Sequence, residues 1–375
     1  MKPSGFTPDE VFAVAERAVL VGVEFQKEDH YLPELARLAQ TAGAAVVGQL
    51  TQKRERPDPA FFIGSGKILE LRSLLASSGA NLVIFDHELR PSQTRNLEKE
   101  FGLKVIDRTE LILDIFAQRA KTREGKLQVE LAQAEFRLTH LTGHGASMSR
   151  LGGGIGTRGP GESKLEYDRR EIRSRLSQLK KELGQIGNER SLKREKRRGS
   201  QIPVAAIVGY TNAGKSTLLN TLTKAGVLVE DKLFATLDPT TRRLYLPSGR
   251  TVLLTDTVGF IQKLPHTLIE AFAATLEEVT DADFLVHVVD GANPEFERQI
   301  SAVYQVLEEL KSITKPIITV FNKADLLKKK LPKAVLKKYQ PAVAISALEK
   351  DGLEKLLSII DAQLPPQPAS TPPSA

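Results

Sequence analysis

Eight consecutive residues, Gly-Tyr-Thr-Asn-Ala-Gly-Lys-Ser at 209–216, have the spacing G-x-x-x-x-G-K-[ST]. An apolar run, VAAIVG at 204–209, leads into them, and a helical stretch, STLLNTLTKAG, leads out. A strand turning sharply into a helix is the setting in which such a loop binds phosphate. Backbone N–H groups of Gly209, Tyr210, Thr211, Asn212, Ala213 and Gly214 are expected to close around the oxygens, helped by the helix N-terminus. Lys215 brings an ammonium to the β and γ phosphates and the Ser216 hydroxyl binds Mg2+, with Thr217 next in the first helical turn.

The base is read from a second motif. Asn322-Lys323-Ala324-Asp325 follows the run PIITVF, at the carboxyl edge where open parallel sheets bind their ligands. A carboxylate accepts two hydrogen bonds, which matches the N1–H and exocyclic amine of guanine. Adenine does not offer that pair. Asp325 is therefore expected to select guanine, with Asn322 and Lys323 bracing the loop and flanking the base. One strand later, Ser346-Ala347-Leu348 is expected to present backbone N–H groups to the guanine oxygen. Order and spacing together name GTP, with GDP as product.

A third motif, Asp256-Thr257-Val258-Gly259, closes the run TVLLTD. Asp256 is expected to hold Mg2+ through water and the Gly259 N–H to reach the γ-phosphate, so Lys215, Asp256 and Gly259 form the expected catalytic set. Between this motif and the phosphate loop lies LFATLDPTTRR, which must supply a threonine that meets the metal only when the γ-phosphate is present. Thr236, Thr240, Thr241 and the more distant Thr251 all qualify by chemistry alone. Phe260 stands where Ras-like enzymes place a glutamine that orients the attacking water. A phenyl ring cannot make that hydrogen bond, so unassisted hydrolysis is expected to be slow, with a partner completing the site.

These loops need a scaffold. From Gln201 the strand-like runs 204–209, 251–256, 283–290, 316–323 and 341–347 alternate with helical stretches, the pattern of a doubly wound sheet buried on both faces. Residues 1–120 alternate in the same way: AVLVGVEF, AAVVGQLT, NLVIFD and LKVID read as strands, and the helical patterns between them stop at glycines such as Gly102. A smaller α/β domain with a mostly parallel sheet is expected there. Within it Gly64-Ser-Gly66-Lys67 resembles a second phosphate loop, but it lacks the full spacing and the Ser/Thr after Lys. A tight strand-to-helix turn is expected instead.

Residues 121–200 differ from both. Leu127, Leu131, Ala134, Leu138 and Leu141 form one heptad seam, and Leu165, Ile172, Leu176, Leu179, Leu183 and Ile186 form another. Each helix buries one narrow stripe, most simply against the other. Six Gly and one Pro between Gly152 and Gly161 break the helices apart. The expected object is an antiparallel helical hairpin whose Gly-rich tip carries Arg150 and Arg158. The domain plan is thus 1–120, the hairpin at 121–200, the nucleotide domain at 201–364, and a disordered Pro-rich tail at 365–375.

Composition narrows the function classes. The chain has 375 residues, 41% hydrophobic and 26% charged, with no cysteine. That excludes collagen-like, rod-like and wholly disordered chains, and also disulfides and thiolate chemistry. The six histidines show no metal-ligand spacing. No apolar run approaches the roughly 18 residues of a membrane span, and no signal-peptide core follows Met1. A cytoplasmic monomer is expected, without stable membrane insertion though compatible with peripheral attachment. The net charge is +7, and residues 163–198 hold 13 Lys/Arg against 6 Asp/Glu, which accounts for all of it. A basic excess gathered on one helix is either a solvated face or a polyanion-binding surface.

The motifs taken together resemble the HflX-type GTPases of the Obg/HflX group. FIGSGK, ELRPSQTRNLE, DRTELILDIFAQRA and EGKLQVELAQ are similar to the family's N-terminal segments. GGGIGTRGPGESKLEYDRR is similar to its linker, and FATLDPTTR to its switch I, here Phe234, Ala235, Thr236, Leu237 and Asp238 onward. By that resemblance Thr236 joins Ser216 as the metal ligand. It also implies the large ribosomal subunit, rRNA and ribosomal proteins, as partner, with the hairpin probing near its catalytic centre. The implied work is ribosome splitting, rescue or biogenesis, with hydrolysis stimulated by the ribosome. Some members carry a further C-terminal domain, and its functions are not expected of a chain that runs from Leu348 through one helix into the Pro-rich tail. Two other readings stay open at this level: an ATP-driven RNA remodeller working through the N-terminal domain, to which ATP use is sometimes credited in members of the family, and a GTP-timed scaffold for a protein or membrane partner.

Overall fold

The computed structural model describes residues 16–25, 32–141, 160–198, 202–223, 232–262, 265, 268, 273–328 and 331–364. The expected Pro-rich tail, Arg150, Arg158 and tip residues 152–159 lie outside the described residues. The chain gathers into two compact units, one of Met1–Gln118 with Phe136–Glu171, the other of Arg119–Glu135 with Ile172–Ala375.

In the first unit four strands form a parallel sheet of order β2-β1-β3-β4, namely β1 (Arg17–Glu24), β2 (Ala45–Lys53), β3 (Leu82–Phe85) and β4 (Lys104–Asp107). Helices α1 (Leu32–Ala42), α2 (Ser65–Ser78) and α3 (Pro91–Phe101) make the crossovers. Both α2 and α3 stop at a glycine in the left-handed region, Gly79 at φ 61° and Gly102 at φ 66°. No side chain with a Cβ sits there cheaply. A further helix, α4 (Arg108–Arg119), follows β4 directly, and the sequence periodicity did not single it out. Asp107 caps it, accepting the Glu110 N–H at 2.9 Å. Arg108 is buried and its guanidinium is neutralised by Asp86, at 2.8 Å, and by Glu34. Gly64 precedes the first turn of α2 and donates to the Gln52 side chain, and Lys67 pairs with Glu70 at 2.7 Å. The turn opens a helix as expected from GSGK, but among the described residues no strand runs into it: β2 ends at Lys53, and only an isolated bridge between Asp58 and Phe62 precedes α2.

The second unit holds stretches of two long helices, α5 (Arg123–His140) and α6 (Pro160–Arg198). Within the unit they run antiparallel, since Glu124 pairs with Arg190 and Glu130 with Arg175. Of the heptad positions, Leu127 and Leu131 on α5 and Leu176 and Leu179 on α6 are buried, whereas Ala134, Leu138, Leu141, Leu165, Ile172, Leu183 and Ile186 are only half-buried. Arg175 grips Glu130 with two hydrogen bonds, at 2.7 and 2.8 Å, and Lys180 pairs with Glu135 at 2.9 Å. Part of the basic excess of α6 therefore holds the hairpin together. Helix α6 starts at Pro160 and takes in Gly161, so the helix break expected through Gly161 ends sooner. Proline lacks an N–H that the first helical turn does not use.

The sheet of this unit has the order β10-β9-β8-β5-β7-β6. Its strands are β5 (Val204–Gly209), β6 (Thr240–Tyr245), β7 (Thr251–Asp256), β8 (Phe284–Asp290), β9 (Ile317–Asn322) and β10 (Ala342–Ala344). Helices α7 (Lys215–Thr223), α8 (Ala273–Asp281), α9 (Phe296–Glu309), α10 (Lys333–Lys338) and α11 (Leu353–Gln363) complete it. All pairs are parallel except β6 with β7. The chain passes from β5 to β7 on one side and returns with β8 on the other. That reversal beside β5 opens a crevice at the carboxyl edge, where ligands of doubly wound sheets bind. No helix among the described residues is long and apolar enough to cross a membrane.

Candidate nucleotide site

The phosphate loop leaves β5 at that reversal. Gly209 has φ 152°, and a Cβ there would meet the Val288 carbonyl at 2.2 Å. Gly214 has φ 93°, and its Cβ would lie 2.2 Å from Asn322 Nδ2. Both positions thus exclude a side chain by backbone angle and by space. Lys215 is buried, and its ammonium donates to the Gly209 carbonyl at 3.1 Å and the Tyr210 carbonyl at 2.8 Å. Burial pulls its pKa down to about 8, against the attraction of the Asp256 carboxylate.

Three oxygen-bearing side chains converge beside it. Ser216 Oγ donates to Asp256 Oδ2 at 2.6 Å, Thr236 Oγ1 lies 2.8 Å from Ser216 Oγ, and Thr236 Oγ1 donates to Asp256 Oδ2 at 3.1 Å. Among the described residues the second oxygen of Asp256 is buried without a partner, and burial raises this carboxyl despite Lys215. Two hydroxyls and a carboxylate oxygen are hard ligands of the kind Mg2+ takes. Of the four candidate threonines only Thr236 joins this cluster. Thr240 and Thr241 open the edge strand β6, where Thr241 Oγ1 is 2.9 Å from Thr255 Oγ1, and Thr251 opens β7.

A cavity lies over the loop, lined by Thr211, Asn212, Gly214, Lys215, Ser216, Thr217, Lys232, Phe234, Ala235, Thr236, Thr257 and Gly259. Lys232 was missed from the sequence. Its signal was a cation two residues before Phe234, in a segment that had to approach phosphates. Leu237 is buried, and the Asp238 carboxylate accepts hydrogen bonds from Lys121 and Thr122, so neither is among the residues that line the cavity. Gly259 is packed against the loop, since a Cβ would stand 2.8 Å from Thr211 Cα and 2.9 Å from Lys215 Nζ. Phe260 is fully buried; its N–H donates to the Gly209 carbonyl at 3.1 Å and its carbonyl accepts the Thr211 N–H at 2.7 Å. Its ring is core, and its backbone fastens the loop.

On the base side, Asn322 ties three loops together. Its amide donates to the Ala213 carbonyl and its oxygen accepts the Ala347 N–H, each at 2.9 Å. Lys323, at φ 61°, forms an ion pair with Asp290 at 2.8 Å. Ala324 and Asp325 open a short 3-10 turn, and Asp325 is exposed. The Ser346 N–H donates to the Asp351 carbonyl at 3.1 Å, and Leu348 is exposed.

Three family profiles match successive segments of the chain: "GTP-binding GTPase N-terminal" over 29–117, "GTP-binding GTPase Middle Region" over 119–197 and "50S ribosome-binding GTPase" over 204–323. A relative from Caldanaerobacter subterraneus subsp. tengcongensis, GTPase HflX, is 54% identical over 357 residues, 95% of this chain and 82% of its own length. The chain belongs to the HflX family of GTPases. GTPase HflX of Escherichia coli strain K12 is 46% identical over 318 residues, 84% of this chain and 75% of the relative. The crystal structure of SsGBP in complex with GDP superposes with a TM-score of 0.53 at 26% identity, covering 92% of this chain and 98% of that one. Family membership and the phosphate loop together make the chain a GTP hydrolase.

A Thr236→Ala variant should lose affinity for a non-hydrolysable GTP analogue by about tenfold, with a smaller loss for GDP, if the hydroxyl meets the metal only in the triphosphate state. Titrations with labelled nucleotides at saturating Mg2+ measure both. The same phenotype from Thr240→Ala instead would move the metal ligand four residues along the loop.

Proposed function

We propose that the chain is a Mg2+-dependent GTPase that holds the large ribosomal subunit in its GTP state and lets go after hydrolysis, in ribosome splitting, rescue or biogenesis. The observation that carries the switch is the convergence of Ser216, Thr236 and Asp256 beside Lys215. Ser216 and Thr236 would bind the metal directly and Asp256 through water; the bound ion would neutralise charge on the β and γ oxygens. Lys215 then neutralises the phosphates from the other side, the Gly259 N–H meets the γ-phosphate, and Asp325 reads guanine. Phe260 is committed to the core, so no side chain at that position orients water. Basal turnover is therefore slow, and the ribosome supplies or orders what is missing.

The ribosomal partner is supported by the description of the profile that matches 204–323 and by the charge on α6. Arg170 and Arg173 are exposed on that helix and Arg169 half-exposed, whereas Arg175 is spent on Glu130. The test is GTP turnover with and without purified large subunits at two salt concentrations. Joint reversal of Arg169, Arg170 and Arg173 to Glu should weaken stimulation and flatten its salt dependence, since fewer phosphate counterions are released. Full stimulation with an unchanged salt slope would remove α6 from the interface.

A further inference from the structure

Asp238 lies two residues beyond Thr236, and its carboxylate is fully engaged by the start of α5. Oδ2 accepts the backbone N–H groups of Lys121 and Thr122, each at 3.1 Å, and Oδ1 accepts the Thr122 hydroxyl. The same hydroxyl accepts the Gly125 N–H at 2.9 Å, so Thr122 is at once the N-cap of α5 and the partner of Asp238. Gly125 lies against the pair: a Cβ on it would stand 2.5 Å from Asp238 Oδ1. Glu124, the residue before Gly125 in α5, pairs with Arg190 on α6, so the attachment continues into the second helix. On the nucleotide side Leu237 and Phe234 are buried, which leaves the segment between Phe234 and Asp238 little freedom once both ends are held.

We propose that Asp238 is a positioning residue of GTP hydrolysis, through which the first turn of α5 fixes Thr236 at the metal, so that the helical hairpin and the triphosphate state support one another. The proposal rests on the Mg·GTP reading of Thr236 given above. Its physical basis is a carboxylate receiving three hydrogen bonds at a helix N-terminus, where negative charge is favoured. Anything that displaces the start of α5 then withdraws Asp238 and, two residues away, the hydroxyl of Thr236. Conversely, a nucleotide that anchors Thr236 holds the N-terminus of the hairpin.

Gly125→Ala is the discriminating variant. Alanine favours helix over glycine, so α5 itself should become more stable. Its methyl group nevertheless displaces the Asp238 carboxylate. Gly125→Ala and Asp238→Ala should each lower affinity for a GTP analogue about tenfold, lose several times less for GDP, and raise the Mg2+ concentration needed for half-maximal turnover. Thr122→Val should follow them, and Thr122→Ser, which keeps the hydroxyl, should stay near the parent. In the parent protein the amides of Lys121 and Thr122 should exchange hydrogen more slowly with the GTP analogue than with GDP, and Asp238→Ala should erase that difference. Thr236→Ala is measured alongside. If Thr236→Ala shows the loss and the Gly125 and Asp238 variants do not, Asp238 has no positioning role. If Thr236→Ala is itself silent, the reading of switch I fails, and the proposal with it.

Discussion

An Asp325→Asn variant should exchange guanine for xanthine. The amide offers a donor to the 2-oxo group of xanthine where, on the proposed reading, the carboxylate accepts from the 2-amino group of guanine. Sites built to hydrogen-bond a substrate group reject analogues lacking it by about 10,000-fold when the site is buried. Asp325 is exposed, so water competes and the preference should shift by roughly a hundredfold. The same exposure makes the test clean. With no buried packing lost, the thermal midpoint should stay where it was. Competition between GTP and XTP for a fluorescent guanine nucleotide gives the ratio, and unchanged GTP selectivity would take base recognition away from Asp325.

Lys215→Ala should abolish useful turnover without unfolding the protein. The phosphates lose charge-assisted hydrogen bonds of about 1.5–3 kcal/mol, a ten- to hundredfold loss in GTP affinity, and the transition state loses at least as much. The stability side has the opposite sign. The folded pKa of about 8 lies below the 10.5 of a free lysine, so the charged form is disfavoured by the fold. That amounts to about 3 kcal/mol, present in full below pH 8 and vanishing above pH 10.5. Removing the ammonium relieves this penalty and offsets the packing and the two carbonyl contacts that are lost. At pH 7 the melting temperature should therefore change little, and nucleotide titration with calorimetry checks both halves. Normal hydrolysis by the variant would show that this loop is not where the reaction occurs.

The legibility of the fold followed the period of its hydrophobic pattern. Apolar runs bounded by turn residues mark β1 to β5 and β7 to β9 within a residue or two of their observed ends, whereas the run 341–347 overshoots β10, which stops at Ala344. The edge strand β6 was passed over because Arg242 and Arg243 interrupt it and only Leu244 is buried. Its signal was the Pro247-Ser248-Gly249 turn, with Gly249 at φ 82°, which joins it to β7 as a hairpin. Helix α4 was missed for the opposite reason. It is apolar on several faces, with Leu111, Ile112, Leu113, Ile115 and Phe116 all buried, so no stripe stands out.

Within the site, the phosphate loop was legible because its chemistry depends on residues adjacent in sequence. The choice of Thr236 over Thr240 and Thr241 was not accessible to side-chain chemistry, since all three bear the same hydroxyl. The start of β6 separates them by taking the two later threonines into the ladder. The contact of Asp238 with Lys121 and Thr122 joins residues 116 and 117 apart, beyond the reach of any local pattern.

The most direct test of the switch is cosedimentation of the full chain with purified large ribosomal subunits under a non-hydrolysable GTP analogue, GDP, or the analogue in excess ATP. Expected is near-complete pelleting with the analogue, little with GDP, no competition from ATP, and a steep fall as salt rises. Equal pelleting in GTP-analogue and GDP states, or release by ATP, would contradict a GTP-controlled hold on the ribosome.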